Sequence, residues 1–160
     1  MFAVTLICVG KLKEKFYLAA SEEYAKRLRG YVDFTLIELP ETRLPDDPSP
    51  AQIAQGLAKE AELIRARIPK GAWFCVLTPE GTQLSSEELA AALASVKGSG
   101  RSAACFLIGS SFGMDPSLKQ LADRKLSMSK MTFPHHLARV MVLEQIYRAF
   151  NINEGGKYHK

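Results

Sequence analysis

Ala103-Ala104-Cys105-Phe106-Leu107-Ile108, followed at once by Gly109-Ser110-Ser111-Phe112-Gly113, decides the architecture. An unbroken apolar run between Gly100 and Gly109 offers water no polar face. It predicts a strand covered on both sides, the signature of a parallel sheet. The residues after it are mostly small, so backbone could approach a ligand closely. They do not spell Gly-x-Gly-x-x-Gly, and they lack the Lys-Ser/Thr of a P-loop. Taken alone, Gly109 to Gly113 reads as a turn.

Upstream, strand and helix patterns alternate. Phe2 to Val9 is a β-branched apolar run ended by Gly10, and Phe16 to Leu28 has helical spacing with Gly30 just beyond it. Val32 to Leu39 alternates apolar and polar residues until Pro40 stops it. Pro40 to Pro50 holds prolines at 40, 45, 48 and 50 and reads as an irregular connection. Ala51 to Ile68 is helical, Trp73 to Thr78 a third strand, and Ser85-x-x-Glu88 a capping box opening a helix over Ser86 to Lys97.

Downstream, Asp115-Pro116 starts a short helix, since aspartate caps it and proline loses no needed hydrogen bond at its first position. Leu126 to Met128 fits a short fifth strand. Pro134 to Phe150 is helical but apolar nearly all round, so it is either central or covered by a partner. The alternation predicts a single α/β domain over residues 1–160, a mostly parallel sheet flanked by helices. In such sheets ligands gather beyond the carboxyl ends of the strands, here the loops after Leu77 and Ile108.

Composition agrees. A 160-residue chain with 47% hydrophobic residues can bury one good core. Its apolar runs are too short to span a bilayer, and its N-terminus lacks the order of a secretory signal, so a cytoplasmic protein is expected. Cys8, Cys75 and Cys105 sit in apolar runs without Cys-x-x-Cys spacing, which predicts buried, reduced thiols and no metal site. The net charge of +4 is concentrated toward the ends, at Lys11, Lys13, Lys15, Lys157 and Lys160. That grouping permits a polyanionic partner, and a solvated lysine face explains it equally well.

The last third completes the reading. Ser127-Met128-Ser129-Lys130-Met131-Thr132-Phe133-Pro134-His135 runs without periodicity into Arg139 and Glu144-Gln145-Ile146-Tyr147-Arg148, and the chain ends in Tyr158-His159-Lys160. With Val9-Gly10-Lys11 and Ile108-Gly109, these segments closely resemble the ribosomal RNA large-subunit methyltransferase H family of SPOUT methyltransferases, essentially end to end. The resemblance implies a SPOUT fold whose C-terminal segment threads a loop to form a trefoil knot, a feature no periodicity reveals. It implies a homodimer and S-adenosyl-L-methionine as cofactor. It also implies methylation of N3 of a pseudouridine in 23S rRNA within the assembled ribosome.

Carried over by position, Leu77, Gly109, Met128, Ser129, Lys130, Met131, Thr132 and Phe133 would surround the cofactor, several through backbone groups. Relatives usually have two adjacent glycines where this chain has Gly109-Ser110. A serine there would narrow the pocket if the position needs φ > 0. An imide nitrogen must lose a proton before it attacks, so catalysis calls for positioning, anion stabilisation and a proton acceptor.

His159 is a candidate base and Tyr158 a face for an unstacked base, against the plainer reading of a disordered tail. Arg139 could hold a phosphate or the developing anion, or form an interface ion pair. His135 could touch substrate or merely pack at a helix start. Glu144 and Arg148, at i, i+4, read as a structural pair. Rival readings are a SPOUT enzyme acting on tRNA, and a ribosome-binding factor without catalysis, which the Gly-to-Ser change would favour.

Overall fold

The computed structural model describes residues 1–160. In chain order the elements are β1 (Ala3–Val9), α1 (Lys15–Leu28), β2 (Asp33–Leu39), α2 (Pro50–Arg65), β3 (Trp73–Gln83), α3 (Ser86–Gly98), β4 (Ala103–Ile108), α4 (Pro116–Leu121), β5 (Arg124–Ser127) and α5 (His135–Asn153). The five strands form one parallel sheet in the order β2-β1-β4-β3-β5. Every carboxyl end therefore points the same way, and the loops after β3, β4 and β5 open side by side.

The apolar runs explain the sheet's double cover. Along β1, Val4, Leu6 and Cys8 face one side, where they meet Leu28 of α1, Leu93 of α3 and Leu143 and Ile146 of α5. Ile7 and Val9 face the other side, with Ile64 of α2 and Leu118 of α4. A strand buried on both faces needs no polar alternate residues, hence the continuous hydrophobicity of β1 and β4. Each such side chain contributes roughly 1.5–3 kcal/mol by leaving water. Ser49 and Ser85 begin α2 and α3 with complete capping boxes, which fix where those helices start.

Helix α5 lies between α1 and α3, and this central place accounts for much of its all-round apolarity. Val142, Leu143, Ile146, Ala149 and Phe150 are buried, while Leu137, Val140, Met141 and Tyr147 are half-buried. The three cysteines are buried and unpaired, and burial pushes each thiol up to about 12. No helix is long and apolar enough to cross a membrane.

Two boundaries differ from expectation for a reason. β3 continues past Thr78 to Gln83, and β5 spans Arg124–Ser127 rather than Leu126 to Met128. Leu126 pairs with Leu77 and again with Thr82, so residues 78–81 bow around it. At Gly81 a Cβ would stand 2.7 Å from the backbone of Lys125 and Leu126. Only glycine permits two backbones to cross that closely. The helix expected over Ala51 to Ile68 ends earlier, at Arg65, where Arg67 N–H turns back to Ile64 O at 2.9 Å.

Candidate functional site

The bowed stretch of β3 from Leu77 to Pro79 and the loops after β4 and β5 enclose a cleft of about 660 Å³. Its wall after β4 is a tight turn. Ser110 N–H donates to Gly113 O at 3.0 Å, and Gly113 N–H donates to Ser110 O at 2.9 Å. Gly113 has φ +91°, and a Cβ on Gly109 would lie 2.3 Å from Gly113 O. Both glycines are thus fixed by the turn. Ser110 is not under the same demand: it is buried, and no residue other than glycine has positive φ. The serine fits without backbone strain.

The opposite wall is Met128 to Pro134, which has no regular structure. From Met128 to Phe133 only the Met131 N–H is hydrogen-bonded within the chain, to Ser129 Oγ at 3.0 Å. Ser127 Oγ in turn donates to Ser129 O at 3.1 Å and shapes the bend. A wall of free amides and carbonyls beside Leu77, Met128 and Phe133 can read the polar edge of a planar heterocycle and cover its faces. That donor set fits a nucleoside-bearing cofactor.

Leu77, Gly109, Met128, Ser129, Lys130, Met131, Thr132 and Phe133 all line this one cleft, and so does His135. Ser111 and Phe112 of the small-residue turn line it too, as do Thr78 and Lys119, which sequence reading did not single out. Lys119 lies on the short α4, whose sequence gives no sign of facing a site. Its ammonium pairs with Glu80 at 2.5 Å and holds that exposed carboxyl down at about 2.

His135 is half-buried, its ring centroid 4.2 Å from that of His136. Burial, and then the neighbouring His136, hold its pKa below the usual imidazole range, so it is neutral at pH 7. Arg139, expected to hold a phosphate or the developing anion or to form an interface ion pair, is held in an ion pair within its own chain. It is 2% exposed, does not line the cleft, and bonds Glu38 Oε2 at 2.5 Å and Gly10 O at 3.0 Å. Its guanidinium ties α5 to the carboxyl ends of β1 and β2, with its charge neutralised inside the fold.

Tyr158 and His159 are ordered on the face of α5, away from their own chain's cleft. The Tyr158 hydroxyl donates to Glu144 Oε1 at 3.1 Å, and its ring lies 4.6 Å from the Arg148 guanidinium. Burial, and then that carboxylate, push the phenol up to about 12. His159 Nε2 is 2.7 Å from Glu87 Oε1, and its Nδ1 is 3.1 Å from Arg148 Nη1. A guanidinium can only donate, so Nδ1 supplies its lone pair and Nε2 carries the proton toward Glu87. Both ring nitrogens are occupied.

Glu144 lies nine residues along α5 from His135, roughly 14 Å at 1.5 Å per residue. One chain therefore separates the tail from the cleft. The Glu144–Arg148 pair expected from spacing is present, Arg148 Nε donating to Glu144 Oε1 at 2.8 Å, and it serves as the seat of the tail. That second role, and the role of Glu87, carried no signal in sequence.

Comparison with other proteins agrees with this geometry. Residues 2–159 match the family described as predicted SPOUT methyltransferase. The chain is 44% identical over its full length, and over the relative's full length, to ribosomal RNA large subunit methyltransferase H of Moorella thermoacetica. Proteins of the same name from Ruminiclostridium cellulolyticum and Bifidobacterium adolescentis are 45% and 46% identical, covering 98% of this chain and 99% of theirs. A crystal structure from Neisseria gonorrhoeae, described as a methylase family protein, shares the fold with a TM-score of 0.52 at 13% identity, over 90% of this chain and 81% of its own. The chain belongs to the SPOUT methyltransferases, and within them to the ribosomal RNA large subunit methyltransferase H family.

Proposed function

We propose that the protein methylates N3 of a pseudouridine in 23S rRNA on the assembled ribosome, using S-adenosylmethionine, and that it works as a homodimer. The observation that carries the reading is the cleft at the carboxyl ends of β3, β4 and β5, where free amides of residues 128–133 face a glycine turn. The full-length kinship with proteins named as rRNA methyltransferases points to the acceptor.

S-adenosylmethionine, when bound, supplies an electrophilic methyl group on a sulfonium. Leu77 and Phe133 would cover the adenine, while backbone groups of Met128 to Thr132 and of Gly109 would meet its edge and the ribose. Attack by the imide nitrogen forms an N–C bond as the C–S bond breaks, and the imide proton must pass to an acceptor. His135, neutral and inside the cleft, can accept one.

His159 and Tyr158 enter from a second chain in this reading, because their own cleft is about 14 Å away along α5. For His159 to take a proton, Arg148 must first release Nδ1. The half-buried Leu137, Val140 and Met141 leave apolar surface on α5 for that second chain to cover.

Transfer of labelled methyl from S-adenosylmethionine to ribosomes lacking the modification, with free 23S rRNA and tRNA alongside, tests the proposal. Label on one 23S pseudouridine in ribosomes alone is expected, and label on tRNA would replace it. His159→Ala should slow transfer by about 100-fold, the lower range for a general base, and leave cofactor affinity unchanged. Wild-type rates in that variant would remove His159 from the chemistry.

A further inference from the structure

Glu60 is a buried carboxylate without a cation. It lies on α2, is 5% exposed, and forms no salt bridge. Its Oε2 accepts the Thr42 N–H at 2.8 Å. One turn earlier on the same helix face, Gly56 O accepts the Thr42 hydroxyl at 3.2 Å. A Cβ on Gly56 would come within 3.1 Å of Leu44 Cδ2, so the irregular connection presses directly on α2 there. Residues 42–44 are thereby stapled to the helix at two points.

The same connection reaches the cleft. Glu41, the neighbour of Thr42, accepts a hydrogen bond from Ser111 Oγ at 3.2 Å, at the tip of the glycine turn. Ser110 is buried beneath that turn, its hydroxyl 3.4 Å from Gly113 O. Burial pushes the Glu60 carboxyl up, while the Thr42 N–H opposes the shift by bonding the charged form. A carboxylate buried without a cation is expensive to keep.

We infer that Glu60 is a positioning residue for the cofactor: it clamps residues 41–44 and the Ser110–Gly113 turn into one rigid wall of the cleft, without touching the ligand itself. The inference rests on reading the cleft as the S-adenosylmethionine site. The clamp runs from Glu60 to the Thr42 N–H, and from the adjacent Glu41 to the Ser111 hydroxyl.

The test is S-adenosylmethionine affinity by calorimetry, with steady-state methyl transfer alongside, for the wild type, E60A, E60Q, E41A and the double variant E60A/E41A. Misplacing a cleft wall should raise the E60A dissociation constant and KM for S-adenosylmethionine about ten-fold, with kcat at saturating cofactor within about two-fold. E60Q, whose amide oxygen still accepts the Thr42 N–H, should recover affinity to within about two-fold of wild type. E41A, which removes the acceptor of the Ser111 hydroxyl, should weaken binding about three-fold and add nothing in the E60A background, because neighbours in one network are non-additive.

Wild-type affinity in E60A overturns the inference, as do multiplicative effects of the two changes. Should E60A fail to fold, E41A decides alone, and unchanged affinity there is fatal. A wild type that binds no S-adenosylmethionine overturns the cleft assignment itself, which separates the two failures.

Discussion

Two hollows of similar size open at opposite ends of the same sheet, roughly 20 Å apart at 3.3 Å per strand residue. The lower one, about 730 Å³, lies below β3 and β4 between Arg65, Ile68, Phe74, Arg101, Leu121 and Asp123. The upper one is smaller, at about 660 Å³. Volume would choose the wrong hollow. In the lower one the polar groups are occupied with each other: Arg65 donates to Ser117 Oγ at 2.8 Å, and Asp123 accepts from Arg101 at 3.0 Å and from Phe74 N–H at 2.8 Å. In the upper one a run of backbone amides has no partner in the chain. Unspent hydrogen-bonding capacity, arranged at the carboxyl ends of parallel strands, distinguishes a site from a dent.

Glycine substitution should break this comparison most sharply. Gly109→Ala places a Cβ 2.3 Å from Gly113 O, which forces the cleft turn to move. S-adenosylmethionine affinity should fall at least about 100-fold, two steps of 1.4 kcal/mol. Gly71 borders the lower hollow with φ +76° and open space around it. Gly71→Ala should cost about 1 kcal/mol of stability through backbone strain and leave affinity unchanged. Calorimetry on both variants settles it: equal losses would mean that the two ends of the sheet are not functionally distinct.

Much of this contrast was legible in the sequence. The runs at Ala3–Val9 and Ala103–Ile108 announce a doubly covered parallel sheet, because Thr5 is the single polar residue in the two of them. From that topology alone the loops after Leu77 and Ile108 follow as ligand loops. The Met128 to Phe133 wall was legible only through family resemblance, since an irregular segment has no period. Arg139 misled because an arginine at a helix start looks solvent-facing, and nothing nearby in sequence reveals that Glu38, 101 residues away, neutralises it. Glu60 was invisible for a related reason: inside an alternating charged helix, one buried carboxylate looks like its exposed neighbours.

A second, smaller effect compares what lies beneath each hollow. Asp123 gives the buried Phe74 N–H its partner. Asp123→Ala orphans that donor and should destabilise the fold by about 1–2 kcal/mol, a fall of several degrees in melting temperature. Cofactor affinity should stay as it was. The Arg101 half of the pair is about two-fifths exposed, so Arg101→Ala should cost well under about 1 kcal/mol. Thermal melts of the two variants should rank in that order, and a reversed ranking would mean that the salt bridge, not the backbone donor, holds the lower end.

The smallest expected effect has the opposite sign, and Glu60 supplies it. Like Asp123, Glu60 accepts a backbone N–H at 2.8 Å, but it has no arginine, and burial raises its pKa. A carboxyl whose folded pKa lies above its unfolded value contributes stability below the unfolded pKa and loses it as pH rises through the folded one. The ionised form of Glu60 is one that the unfolded chain solvates better. Glu60→Gln removes that penalty while keeping the acceptor, so its melting temperature should exceed the wild type's by about 1–3 °C at pH 7. The gap should close toward pH 4, where both carry a neutral side chain, and Glu41 and Glu80, unchanged in both proteins, cancel in the difference. A gap that persists at pH 4 would show that shape, not charge, separates the two side chains, whereas one that closes identifies the charge of Glu60, and not its acceptor oxygen, as what the fold carries at a cost.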